Sequence, residues 1–110
     1  MVAWPAIIQH DGDDELVYIA DEQAWLDDET LHTVDYCESD HLIDSNGSMY
    51  ALHYNINGHV QPAQTGKTMT LNSVLGLVKG HAAQQGSCCV AKLYAPSISE
   101  ALALLAALED

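Results

Sequence analysis

The residues of this 110-residue chain whose types and spacing could support chemistry begin with Gly66-Lys67-Thr68, within QPAQTGKTMT from Gln61 to Thr70. The triplet reproduces the end of the phosphate-cradling loop G-x-x-x-x-G-K-[ST], whose first glycine lets backbone N–H groups wrap a phosphate. Here that first position is Gln61, and Pro62 after it has no N–H to donate. The stretch from Ser45 to Ser99 contains no Asp or Glu, so no strand there can end in a magnesium-holding carboxylate. Nucleotide binding is not expected. The triplet reads instead as a glycine-containing loop entering a helix, with Lys67 near the helix N-terminus as a weak anion contact.

Metal chemistry is the next possibility, because the chain has six histidines and three cysteines. Cys37 and His41 form a C-x3-H pair with Asp35, Glu38 and Asp40 around them, and these two are the candidate metal ligands. A structural zinc site usually shows two such pairs, and the second is absent. His53 and His59 flank Asn57-Gly58 and could face one another across a hairpin. Asp11-Gly12-Asp13-Asp14-Glu15 gathers carboxylates as calcium loops do, but its glycine is second where an EF-hand needs it sixth, so a solvated turn is expected. Cys88 and Cys89 are adjacent, unlike a CxxC redox pair, and in a strand they point to opposite sides. The sequence contains no G-x-S-x-G elbow, and no catalytic residue or cofactor is assigned from it.

The elements that must hold these residues are marked by local signals. PAIIQH and ELVYIA read as two strands joined by the acidic turn, and Asp21 caps a short helix to about Asp28 carrying Trp25 and Leu26. His41 to Asp44, Met49 to Tyr54 and His59 to Gln61 read as three antiparallel strands joined at Asn46-Gly47 and Asn57-Gly58, the first pair suiting a type I′ turn. Pro62 places the last of these on an edge or ends it early. Thr70 caps a helix to about Gln85 with Leu71, Val74, Leu75, Val78 and Ala82 on one stripe, and Gly76 and Gly80 on it suggest a close backbone crossing. Ser87 to Tyr94 reads as a strand. Ser97 and Glu100 have capping-box spacing before a strongly apolar helix that includes Leu104 and Leu108. The expected fold is a single α+β domain over residues 1–110, with order ββαβββαβα. Its mainly antiparallel sheet has five to six strands, and its two to three helices pack mostly on one face.

Composition narrows the partners. The formal net charge is -13, yet 48% of residues are hydrophobic, which favours a folded chain over a disordered polyanion. Residues 1 to 44 hold all but three of the 16 acidic side chains and no lysine or arginine, and the chain has no arginine at all. Such a field repels nucleic acid and anionic membrane surfaces, and no apolar run approaches the roughly 20 residues of a membrane span. The N-terminus lacks the basic start of a secretory signal, and an odd cysteine count argues against a disulfide framework, so a cytoplasmic location is expected.

PAIIQHDGDDELVYI, HLIDSNGSMYAL and SISEALALLAAL together resemble a family of small acidic bacterial proteins classed as a domain of unknown function. The resemblance implies a bacterial, non-secreted protein and brings no site residues with it. The functional expectation is a non-enzymatic protein-interaction module. Its contact surface would be the acidic N-terminal region, with Asp11, Asp13 and Asp14, or the apolar C-terminal helix, with Leu104 and Leu108. Its partner would be a protein with a basic patch or a second copy of the chain. The alternative is a small-molecule or metal-binding protein using its His and Cys residues. A pocket holding at least three of Cys37, His41, His53, His59, His81 and Cys88 would favour that alternative.

Overall fold

The computed structural model describes residues 2–54, 58–86 and 93–109, the side chains of 108 and 109 excepted. The alternating apolar residues of the N-terminal segment form β1 (Ala6–Gln9) and β2 (Leu16–Ile19), an antiparallel hairpin with Ala6 opposite Ile19 and Gln9 opposite Leu16. Asp21 then accepts from the Ala24 N–H at 2.8 Å and starts α1 (Glu22–Asp27). At Asp28 the backbone turns extended, and its carboxylate accepts from the Thr30 N–H at 3.0 Å, starting a second short helix, α2 (Glu29–Thr33). The sequence shows one short helix here; two successive aspartate caps make it two.

β3 (His41–Ile43), β4 (Ser48–Tyr54) and β5 (Val60–Thr68) join them in one antiparallel sheet, which among the described residues has five strands in the order β2-β1-β3-β4-β5. The β3–β4 turn differs from the type I′ expectation. Its hydrogen bond runs from the Gly47 N–H to the Asp44 carbonyl at 2.9 Å, so Ser45 and Asn46 are the central residues. The Asp44 carboxylate draws the chain into this form by accepting from the Asn46 and Ser48 N–H groups. Gly47 follows at φ +83, and a Cβ there would sit 2.5 Å from the Met69 carbonyl oxygen, so only glycine fits where this turn meets the entry to the next helix.

That helix, α3 (Leu71–Gln84), is capped by Thr70, whose hydroxyl accepts from the Ser73 N–H at 3.2 Å. The last, α4 (Ile98–Glu109), is preceded by Ser97, whose hydroxyl accepts from the Glu100 N–H at 3.2 Å. Successive strand side chains point to opposite faces. Ile7, Leu16 and Ile43 face α3 and α4 and meet Val74, Val78, Leu102 and Leu105 in one buried cluster. Ala6, Ile8, Leu42, Tyr50, Leu52 and Val60 face the other way and meet Trp25 of α1 and Leu31 of α2 in a second. The two long helices thus share one face, and the two short ones lie on the other. Among the described residues Gly76 has no heavy atom near its missing Cβ and Gly80 meets the Asp14 side chain, so no described backbone crosses at either. The strand expected from Ser87 to Tyr94 lies, over 87–92, outside the described residues.

Candidate functional site

Because α1 and α2 have only six and five residues, they cover part of their face, and among the described residues a cleft remains beside them. The gap is a cleft of about 860 Å³ between α1, the N-terminal segment and β5. Val2 and Trp4 form one wall, and Trp25, Leu26 and Glu22 of α1 form another. Tyr50, Val60, Gln61, Pro62 and Gln64 contribute from the sheet, and His32 and His59 line it where α2 meets β5. Trp25 is 4% exposed and anchors the core, whereas Leu26 beside it is 54% exposed and projects outward. The tryptophans therefore belong to both core and cleft.

His32 fixes one side of this site. Its Nδ1 accepts from the Val60 N–H at 3.0 Å, and its Nε2–H donates to the Trp25 carbonyl at 2.9 Å. The Trp25 ring stands edge-on to the imidazole at 4.8 Å, and His59 lies 5.2 Å away on another side. One buried side chain thus ties the end of α1 to the start of β5. His81 on α3 repeats the device across the molecule, its Nδ1 accepting from the Leu16 N–H at 2.9 Å. Among the described residues β2 and β5 are the outermost strands, and Leu16 and Val60 are their first residues, so each has its leading N–H taken up by a histidine.

Two carboxylates brace the surroundings. Asp44, 1% exposed, accepts from the Ala3 N–H at 3.0 Å and the Tyr50 hydroxyl at 3.0 Å in addition to its turn, which holds the N-terminal wall against the sheet. Burial, with Asp44 close by, pushes the Tyr50 phenol up, while a hydrogen bond with Gln64 acts in the other direction. Asp40 accepts from the Asp11 and Cys37 N–H groups, both at 2.8 Å, and lies 3.5 Å from His10. Burial raises its pKa, but these partners together outweigh burial and hold the carboxyl below its usual value. Tyr36 stacks on His10 and donates to the Leu31 carbonyl at 2.7 Å; burial first, then nearby Tyr54 and carboxylates, raise it to about 12.

The candidates from the sequence are scattered. Cys37 is exposed, and His41 is half-buried at the start of β3. Among the described residues no three His, Cys, Asp or Glu side chains are grouped so as to hold a metal. His53 pairs with Gln61, so it does not face His59 across the ladder. Asp11, Asp13 and Asp14 stand exposed on the β1–β2 turn. Leu104 packs partly buried against the helix-covered core, and the Leu108 side chain is outside the described residues. Gly66-Lys67-Thr68 is not a loop entering a helix. Ser48 pairs with Thr68 and Tyr50 with Gln64, so Thr65, Gly66 and Lys67 all stand opposite Met49 as a bulge in edge strand β5. Gly66 takes φ +82, and the Thr65 hydroxyl donates to the Met49 carbonyl at 2.9 Å. Lys67 accordingly belongs to the border of the sheet.

The residues missed by sequence reasoning are His32, Asp44 and Tyr50. Asp44 carried a signal, since an aspartate two residues before Asn46-Gly47 is placed to accept from the turn's own N–H groups. His32 carried none, for its partner lies 28 residues away.

Residues 4–105 match the sequence model of a family described as a protein structure with unknown function. The fold is similar to that of an NMR structure of a protein from Shewanella amazonensis, with TM-score 0.71 and 25% identity. That likeness covers 100% of this chain and 92% of the other. No curated protein matches the chain.

Proposed function

The chain belongs to that family, DUF4144, and we propose for it a non-enzymatic role in the cytoplasm as a protein-interaction module that works through its acidic N-terminal surface. The observation that carries this reading is where the acids lie relative to the cleft. Asp21, Glu22, Asp27, Asp28 and Glu29 are exposed on α1 and α2, the elements beside the opening. Among the described residues neither Lys67 nor Lys79 pairs with a carboxylate, so neither offsets these acids by direct contact. Such a field speeds encounter with a cationic protein surface and disfavours nucleic acid and anionic lipid.

The C-terminal helix is a weaker contact surface. Ala101, Leu102 and Leu105 are consumed by the protein's own core, and the exposed positions Ala103 and Ala107 offer little area. The small-molecule or metal alternative gains little from the cleft, because of the described candidates Cys37, His41, His53, His59 and His81 only His59 lines it, Cys88 lying outside the described residues. Affinity capture from the native cell, with mass spectrometry, tests the reading. Protein partners carrying basic patches are expected, released as salt is raised toward ~1 M, where the Debye length is ~3 Å. Stoichiometric co-purification of a metal without protein partners would replace this reading with the alternative.

A further inference from the structure

We infer that the cleft receives a partner segment that inserts one basic side chain, arginine or lysine, beside an apolar residue, and that it docks through side chains without joining the sheet as another strand. This rests on the interaction reading above and specifies its partner.

Among the described residues β5 is the border of the sheet next to the cleft, and it is poorly equipped for strand addition. An added strand needs outward N–H donors along β5. The Val60 N–H already donates to His32 Nδ1. Pro62, opposite Leu52, has no N–H. Beyond Gln64 the bulge at Thr65 to Lys67 breaks the spacing of the edge. What remains accessible is the side-chain lining.

That lining has two parts. Val2, Trp4, Leu26 and Pro62 supply apolar walls, and Glu22 is the carboxylate that lines the cleft, with no lysine among the lining residues. Arginine and lysine match both parts, since an aliphatic stem can lie along apolar walls while the cationic head reaches a carboxylate. An indole face adds attraction for the same cation. An acidic segment would instead meet Glu22 and the other α1–α2 carboxylates as like charges. At about 860 Å³ the cleft lies in the upper part of the ~300–1,000 Å³ range of ligand pockets, so a neighbouring apolar residue can enter with the basic one.

The test uses the full chain and an array of capped decapeptides in which the number of arginines and the number of leucine or phenylalanine residues are varied independently. Binders are then titrated in solution, following tryptophan emission from Trp4 and Trp25 and backbone amide shifts. Binding is expected to require both residue classes and to saturate, with shifts at Leu26 and Gln61. Glu22→Lys is expected to weaken it at least tenfold. Glu100→Lys, the same charge change on α4, is expected to weaken it less than twofold. Equal weakening by both variants, equal binding of acidic peptides, or no saturable binding by any peptide would overturn the inference. Shifts confined to the Asp11–Glu15 turn would also overturn it while leaving the acidic-surface reading in place. The absence of any protein partner in the capture experiment would remove that reading itself.

Discussion

The two faces of the sheet are built from similar strands but differ in what covers them. Helices of 14 and 12 residues lie on one face, spanning ~21 and ~18 Å at ~1.5 Å per residue. Helices of six and five residues lie on the other, spanning ~9 and ~8 Å. The long pair buries Ile7, Leu16 and Ile43 in one continuous cluster, whereas the short pair leaves a cleft beside Trp25. The core of the first face is aliphatic and buried beneath the long helices. The second is aromatic, polar at its margins and open. The contrast teaches that helix length, set here by Asp28 interrupting a helix that could have continued, decides which side of the sheet is free to recognise something else.

Substitutions on each face test this contrast. The largest effect is expected beneath the long helices: Leu102→Ala should cost about 3 kcal/mol, because Leu102 is 0% exposed and its neighbours cannot collapse into the space left behind. Chemical denaturation measures this, and a loss below ~1 kcal/mol would mean that the face is looser than described. Next are the two edge histidines. His81→Phe strands the Leu16 N–H at a buried site and should cost about 2 kcal/mol, whereas His32→Phe leaves the Val60 N–H beside a cleft that water can enter and should cost about 1 kcal/mol. Amide exchange at Leu16 and Val60 reports each site separately. Equal costs would erase the distinction between the faces.

A third effect is the pH dependence contributed by the polar braces around the open side. The Tyr36 pKa is raised from 10.0 to about 12 in the fold, so its contribution is fully present below pH 10 and is lost as pH rises toward 12. Asp40 works in the opposite sense. Its folded value is lowered from 3.8, so its contribution is present above 3.8 and is lost as pH falls through the lower folded value. Tyr36→Phe should flatten the alkaline limb of a stability–pH curve, and Asp40→Asn the acid limb. The smallest change is expected from Leu26→Ala, which at 54% exposure should cost less than ~0.5 kcal/mol in thermal or chemical unfolding.

Much of this architecture was readable along the chain because it depends on chemistry within a few residues. Asp21, Thr70 and Ser97 each serve an N–H three positions on, and such spacings are visible without knowing the fold. The five strands follow from alternation and turn residues for the same reason. The open cleft was not readable, since it depends on how far two short helices extend over a sheet whose order places β5 at the border. Nor were the histidine roles, set by contacts between residues 28 and 65 positions apart. The Gly66-Lys67-Thr68 error has the same source. A glycine at positive φ suits a loop and a bulge equally, and only the pairing of Ser48 with Thr68 distinguishes them.

The paired imidazoles at opposite borders bear on how this protein behaves when concentrated. Amyloid-like growth proceeds by templating: a newcomer's backbone zips onto an exposed border, and each layer offers the same template to the next. Among the described residues both outer strands are interrupted at their first rung from inside the molecule, and one is interrupted again by a proline two residues later. Together with mutual repulsion between copies carrying -13 each, this should keep the chain dispersed at concentrations where an unguarded five-stranded sheet would polymerise.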